Sequence, residues 1–212
     1  MTQTTVLILD FDGTIALADV GDELCDRFAP PEWAEIDAMF QRRELSLPDA
    51  QKQMWALMRC TEAALDAETD RVGTLRHGLD GLLDRADADG VRLVLASGGF
   101  DRYIRRILGP RHERFEQAFY SDLTVQGDRL SVTFPLADRL GCPQAAVCKG
   151  AVCDLYREQG CRVIFVGDGA SDRCAIGRAD VLYAVRDSKL AAWADEAGVA
   201  TVPFDSFDEV TW

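Results

Sequence analysis

Val6-Leu7-Ile8-Leu9-Asp10-Phe11-Asp12-Gly13-Thr14 joins an unbroken aliphatic run to two aspartates spaced i and i+2. A run of that kind suits a strand covered on both faces, as in a parallel sheet. Three more runs share its character: Val91-Arg-Leu-Val-Leu-Ala96, Val163-Ile-Phe-Val166 and Val181-Leu-Tyr-Ala-Val185. Between them lie stretches with helical spacing: Leu79–Ala88, Arg102–Leu108, Ala151–Glu158 and Lys189–Ala197. Strand alternating with helix predicts an α/β, doubly wound parallel sheet.

Residues 17–75 interrupt this rhythm. They hold no strand-like run, and Leu24 with Phe28, then Trp33, Ile36 and Phe40, then Met54, Leu57 and Met58 recur at helical spacing. Pro30-Pro31 and Leu47-Pro48 mark helix starts. The expected organisation is a core domain of residues 1–16 and 76–212 with a small helical domain, 17–75, inserted after the first strand. A further irregular piece, Gln126 to Cys148, reads as a hairpin around Gly127-Asp128 followed by a loop.

Composition bounds the partners. A formal charge of −13, from 36 acidic and 23 basic residues, disfavours nucleic acid and anionic membranes, which need a basic patch. An anionic small molecule then requires a local positive island. No segment approaches the ~18 consecutive apolar residues of a membrane span, and Met1–Thr5 resembles no leader, so a cytoplasmic location is expected. Seven cysteines (25, 60, 142, 148, 153, 161 and 174) form no C-x-x-C pair. They read as reduced, mostly buried thiols, and Cys142, Cys148, Cys153 and Cys161 lack the close pairing of structural zinc.

Four pieces carry chemistry. Asp10 and Asp12 stand at the carboxyl end of the first strand, where α/β folds place ligands. Buried carboxylates there ask for a cation, and a hard divalent ion such as Mg²⁺ answers that need. Alone, Asp-x-Asp-Gly is equally a solvated turn. Ser97-Gly98-Gly99, placed just before a helix, offers a hydroxyl and free amides as a phosphate seat, or else a plain turn. Lys149 opens a helix, where a solvated lysine would be ordinary. Gly167-Asp168-Gly169-Ala170-Ser171-Asp172 puts further carboxylates at a strand end, and Asp172 stands where a dinucleotide loop needs its third glycine.

Taken in order, Asp-x-Asp-Gly-Thr, Ser-Gly, Lys and Gly-Asp-Gly-x-x-Asp resemble the four motifs of the haloacid dehalogenase-like superfamily. The helical insertion resembles that superfamily's first type of cap on its Rossmann-like core. The resemblance implies an Mg²⁺-dependent phosphatase acting on a small phosphorylated metabolite, as a monomer or homodimer. Asp10 is then the nucleophile that forms an aspartyl phosphate, and Asp12 the acid and base. Mg²⁺ is held by Asp10, Asp168 and the carbonyl of Asp12. Ser97, Gly98 and Lys149 hold phosphate oxygens, and Asp172 orients Lys149 or a metal-bound water. A dehalogenase or a non-catalytic phospho-ligand binder are rivals, but every carboxylate the phosphatase needs is present.

Three branches compete for the substrate. Ser97-Gly-Gly-Phe-Asp-Arg-Tyr103 resembles phosphoserine phosphatases, with Asp19 where they carry a glutamate for the amine. However, Gln51-Lys52-Gln53-Met54 lacks their arginine, and Ser171 replaces their asparagine. Cys142-Pro143 to Cys148-Lys149 is similar to phosphoethanolamine and phosphocholine phosphatases, but Gly98 replaces their aspartate. Phe28-Ala-Pro-Pro-Glu-Trp33, Asp19, Phe134-Pro135 and Cys148-Lys149 resemble the methionine-salvage phosphatases of 2-hydroxy-3-keto-5-methylthiopentenyl 1-phosphate, the preferred branch. Asp19 is expected to face the substrate. Trp33, Met54 and Met58 could offer an apolar wall, but packing inside the insertion is the favoured reading for each.

Overall fold

The computed structural model describes residues 3–137, 139, 140, 142 and 144–212; Pro143, part of one resemblance above, lies outside them. The four apolar runs are strands β1 (Thr5–Leu9), β2 (Arg92–Phe100), β5 (Arg162–Gly167) and β6 (Val181–Val185). Three strands join them: β3 (Gln117–Gln126), β4 (Arg129–Thr133) and β7 (Val202–Phe204). The sheet order is β4-β3-β2-β1-β5-β6-β7, parallel throughout except for the β3–β4 pair. That pair is the expected hairpin, with Gln126 opposite Arg129 across Gly127-Asp128.

The buried centre explains why β1 reads as a continuous apolar run. Leu7 and Leu9 pack into one apolar cluster and Val6 and Ile8 into another, on opposite faces of the sheet. Helices α5 (Leu79–Asp89) and α6 (Asp101–Leu108) supply residues to the first cluster, α7 (Lys149–Glu158) and α8 (Lys189–Glu196) to the second. Each fully buried aliphatic side chain contributes about 1.5–3 kcal/mol.

Residues 17–75 form helices α1 (Val20–Phe28), α2 (Trp33–Gln41), α3 (Leu47–Leu57) and α4 (Glu62–Val72). Ser46 caps α3 by accepting the Asp49 N–H, and Pro48 sits in its first turn, where a missing N–H costs nothing. The segment leaves and returns at one place: Ala16 bridges to Leu75, and the Leu17 N–H donates to the Thr74 carbonyl at 2.9 Å. Its far side is pinned to α6 by Arg102, paired with Glu62 and Asp66, and by Arg106, paired with Asp66 and Asp70. Aromatic contact ties it to the sheet as well. Trp55 of α3 meets the Phe100 ring edge-on at 4.6 Å and stacks with Tyr103 at 6.4 Å, arrangements that add about 0.5–1.5 kcal/mol each. Among the described residues, no helix is long and apolar enough to cross a membrane.

Candidate active site

β1 ends at Leu9, and the chain then makes an irregular helical turn over Phe11–Ile15. Gly13 takes φ +73° there, and any β-carbon on it would fall on the Asp168 carboxylate. Only glycine lets these two motifs close upon each other. Arg76, itself buried, clamps the turn from behind. Its guanidinium donates to the carbonyls of Thr14 and Gly13, each at 2.7 Å, and of Asp205 at 3.1 Å.

Lys149 lies at the centre, fully buried. Its Nζ is 2.6 Å from Asp10 Oδ1, pairs with Asp172 Oδ1, and donates to Ser171 Oγ at 2.6 Å. Burial opposes its charge, but attraction to Asp10 and Asp172 outweighs that and holds its pKa above the ordinary lysine value. Asp172 is fully engaged: its second oxygen accepts the N–H groups of Asp168 at 2.8 Å and Gly169 at 2.9 Å. It therefore anchors Lys149.

Asp10 is pushed well above the usual carboxylate range by burial and by the charge of Asp172, with Lys149 pulling the other way. Asp168 is raised to about 6 by burial and Asp172, although Thr14 donates to its Oδ1 at 2.9 Å. One oxygen each of Asp10, Asp168 and Asp172 lie within 4.8 Å of one another. Asp172 is committed to Lys149 and to two amides, so Asp10 and Asp168 remain as hard oxygen donors, and three carboxylates share the one ammonium of Lys149. That donor set fits a divalent cation such as Mg²⁺.

Asp12 is arranged otherwise. The Val20 N–H donates to its Oδ1 at 3.1 Å, the Tyr103 hydroxyl to its Oδ2 at 2.9 Å, and Ser97 Oγ reaches the same oxygen at 3.4 Å. Gly99 makes room: a β-carbon there would collide with both Tyr103 Oη and Asp12 Oδ2. Burial and the charge of Asp19 raise Asp12 to about 8, against the Tyr103 and Val20 hydrogen bonds. The Asp12 side chain thus points towards Tyr103 and away from the Asp10–Asp168 pair, and the metal role expected of Asp12 is that of its main-chain carbonyl.

Ser97 is buried, and its Oγ accepts the Gly99 N–H at 2.9 Å. It does not stand just before a helix, as its sequence context implies. β2 runs on to Phe100, with a register shift between Ala96 and Phe100, and α6 begins at Asp101. Gly98 lines the cavity floor, and its carbonyl accepts Gln51 Nε2 of α3 at 3.0 Å.

Above this floor is a cavity of about 330 Å³. From the helical segment, Asp19, Asp22 and Asp37 enter it beside Cys25, Phe40, Met54 and Trp55. Asp22 is raised to about 8 by burial and the neighbouring charges of Asp19 and Asp37. Asp19 is raised in the same sense, first by burial, but it lies exposed at the cavity mouth, so solvent screens much of the effect. Asp19 also caps α1 by accepting the Asp22 N–H at 3.0 Å. Of the candidate apolar wall, only Met54 lines the cavity. Met58 is fully buried against the Cys25 thiol, and Trp33 packs on the core cluster; Trp55 takes the place foreseen for them.

Residues 7–176 match the model of the haloacid dehalogenase-like hydrolase family. A protein named 2-hydroxy-3-keto-5-methylthiopentenyl-1-phosphate phosphatase from an Exiguobacterium species is 30% identical over 210 residues, covering 98% of this chain and 96% of its own. A protein of the same name from Bacillus velezensis is 27% identical, covering 99% and 89%. Among solved structures, a phospho-aspartyl intermediate analogue of phosphoserine phosphatase superposes with a TM-score of 0.73 at 18% identity, over 98% of this chain and 97% of that one. A substrate-bound phosphoserine phosphatase gives 0.72 at 17% identity, over 99% and 97%. Likeness at that level of identity speaks for the fold alone, whereas the family match spans most of the chain and every motif around Lys149. The chain belongs to the haloacid dehalogenase-like hydrolases.

Proposed function

We propose that this hydrolase is an Mg²⁺-dependent phosphatase of 2-hydroxy-3-keto-5-methylthiopentenyl 1-phosphate, working through an aspartyl phosphate on Asp10. The observation that carries this reading is the opposite treatment of two aspartates two residues apart. Asp10 has one oxygen held by Lys149, and its other oxygen has no hydrogen-bonding partner among the described residues. It is the nucleophile, and Lys149 favours its ionised form against burial and the charge of Asp172. Asp12, raised to about 8, keeps its proton near neutral pH and gives it to the leaving oxygen as the ester bond breaks. The resulting carboxylate then takes a proton from the water that attacks the aspartyl phosphate. Asp10, Asp168 and the Asp12 carbonyl would hold Mg²⁺, which when bound screens the incoming phosphate from these carboxylates. Lys149 and Ser97 together with the Gly98 amide supply the remaining donors for phosphate oxygens, the positive island that a chain of charge −13 needs.

The cavity supports the substrate assignment. Lys189 is the one basic residue lining it among the described residues, so a carboxylate-bearing ester such as phosphoserine finds no arginine clamp. Asp19, Asp22 and Asp37 accept from hydroxyl groups, and Met54 and Trp55 offer an apolar surface for a methylthio end. We take residues 17–75 as the lid domain that supplies this selectivity by closing on the core of 1–16 and 76–212. The same carboxylates beside Trp55 favour a second reading, a phosphocholine or phosphoethanolamine phosphatase. Phosphate release from the four esters, compared as kcat/KM with p-nitrophenyl phosphate as reference, separates the readings. The enol phosphate is expected to lead by at least tenfold, with all turnover lost in excess chelator. Preference for phosphoserine or phosphocholine, or full turnover in chelator, would overturn the assignment.

A further inference from the structure

Helix α3 lays one face over the catalytic cavity. Leu47, Gln51, Met54 and Trp55, at i, i+4, i+7 and i+8, all line it. The other three are apolar, so Gln51 is the one polar side chain of that set. The helix rests directly on Gly98, where a β-carbon would stand 3.0 Å from Leu47 Cδ2. One turn further along, Gln51 Nε2 donates to the Gly98 carbonyl at 3.0 Å. A carbonyl can only accept, so this contact fixes which way the amide faces. Its other end is left over: Gln51 Oε1 is buried and has no hydrogen-bond partner among the described residues. Buried polar atoms are nearly always satisfied, and one that is not asks for a reason. Two donors that share the cavity are directed elsewhere. The Tyr103 hydroxyl donates to Asp12 Oδ2 at 2.9 Å, and the Lys189 ammonium to Gln41 Oε1 at 3.2 Å.

We propose that Gln51 is a specificity-determining residue whose Oε1 accepts a hydrogen from a hydroxyl on the carbon next to the one that bears the phosphate. The inference rests on the phosphatase reading of the site, though on no single ester.

Position argues for that carbon. Nε2 and Oε1 belong to one planar amide, so anchoring the first on Gly98 holds the second beside the residue whose N–H is assigned to the phosphate. A group that reaches Oε1 while the phosphate is seated must therefore branch close to the ester oxygen. The hydroxyl of a 2-hydroxy 1-phosphate does so, one carbon from the carbon that carries that oxygen. Because Oε1 is closed off from water, an ester without the hydroxyl leaves it unpaired, whereas an ester with it completes the wall beneath α3. A buried acceptor of this kind rejects the analogue that lacks the donor more strongly than an apolar wall rejects by shape.

The test compares two esters that differ in that hydroxyl alone, glycerol 1-phosphate and 3-hydroxypropyl phosphate. The Mg²⁺-loaded protein should release phosphate from the first with a kcat/KM about tenfold higher or more. Gln51→Met, which keeps the length and apolar packing of the side chain, should bring that ratio close to one. Any general weakening of the phosphate seat when the Gly98 contact is lost falls on both esters alike and cancels in the ratio. Calorimetric binding to the Asp10→Asn protein, which reads the hydroxyl without turnover, should show the same preference in Kd. A wild-type protein indifferent to the hydroxyl, or a preference that survives Gln51→Met, would overturn the proposal. A binding preference without phosphate release from either ester by the wild-type protein would refute the phosphatase reading and leave the role of Gln51 standing.

Discussion

Asp10 and Asp168 at strand ends, with Asp172 in the turn that follows, surround one buried lysine, whereas Asp19, Asp22 and Asp37 face the same cavity from the helical segment with no paired base among the described residues. In the first region the fold holds negative charge in place by surrounding Lys149, so removing that lysine strands two buried carboxylates. In the second, the carboxyl groups sit on short helices partly open to water, where Asp19 and Asp22 have raised pKa values, and all three are free to meet a ligand. Strength of pairing thus separates the part of the site built for phosphate from the part that selects what the phosphate is attached to.

The contrast breaks most visibly at Lys149. Lys149→Met leaves Asp10 and Asp172 without their shared cation, and loss of one partner from a buried ion pair costs about 3–5 kcal/mol. Urea unfolding should show a loss of that size, with phosphate release abolished. A loss below about 1 kcal/mol would mean that Lys149 serves chemistry alone.

Tyr103→Phe probes the acid that stands between the two regions. The tyrosine hydroxyl holds Asp12 Oδ2 and lowers its pKa, while burial raises it. Removing that hydrogen bond should let Asp12 climb, moving the alkaline limb of the kcat profile above its position near pH 8. kcat should fall about tenfold, in keeping with a bond of roughly 1.5–3 kcal/mol to a charged group. An unmoved limb would exclude Tyr103 as the group that positions Asp12.

The smallest effect belongs to the helical segment. Because the folded pKa of Asp22 lies near 8, above an ordinary value of 3.8, its carboxyl group is more easily ionised in the unfolded chain. Folding stability is therefore complete below about pH 4 and declines as pH rises towards 8. Asp22→Asn should thus stabilise the metal-free protein by about 1 kcal/mol at pH 7 and by nothing near pH 4. A variant equally stable or destabilised at pH 7 would show that Asp22 has found a partner.

The two regions also differ in how far they can be read from the chain. Asp10, Asp12 and Asp168 announce themselves because polar residues at the ends of apolar runs have few reasons to be there, whereas Lys149, which follows an irregular loop, is legible only through the order of the four motifs. Tyr103 gives no such sign. It meets Asp12 from 91 positions away, and only the stacking of Trp55 against it and the bare α-carbon of Gly99 bring the two together. Arg76 is hidden for the same reason: it clamps Thr14 from 62 positions away, by carbonyls that every residue possesses. β3 escapes the search for apolar runs because Phe119, Ser121 and Leu123 turn inward in alternation with less buried neighbours, the signature of a strand with one face uncovered. In the helical segment, spacing located α1, α2 and α3, but it could not choose between Met54, which reaches the cavity, and Met58 one turn on, which does not.

Every role assigned to the core region depends on Asp10 being the atom that takes the phosphate. Brief exposure to substrate followed by acid quench and peptide mass spectrometry tests this directly. The account predicts a phosphate mass on Asp10 alone, absent from Asp10→Asn, which should release no phosphate at all. Phosphate on any other residue, or undiminished turnover by Asp10→Asn, would contradict it.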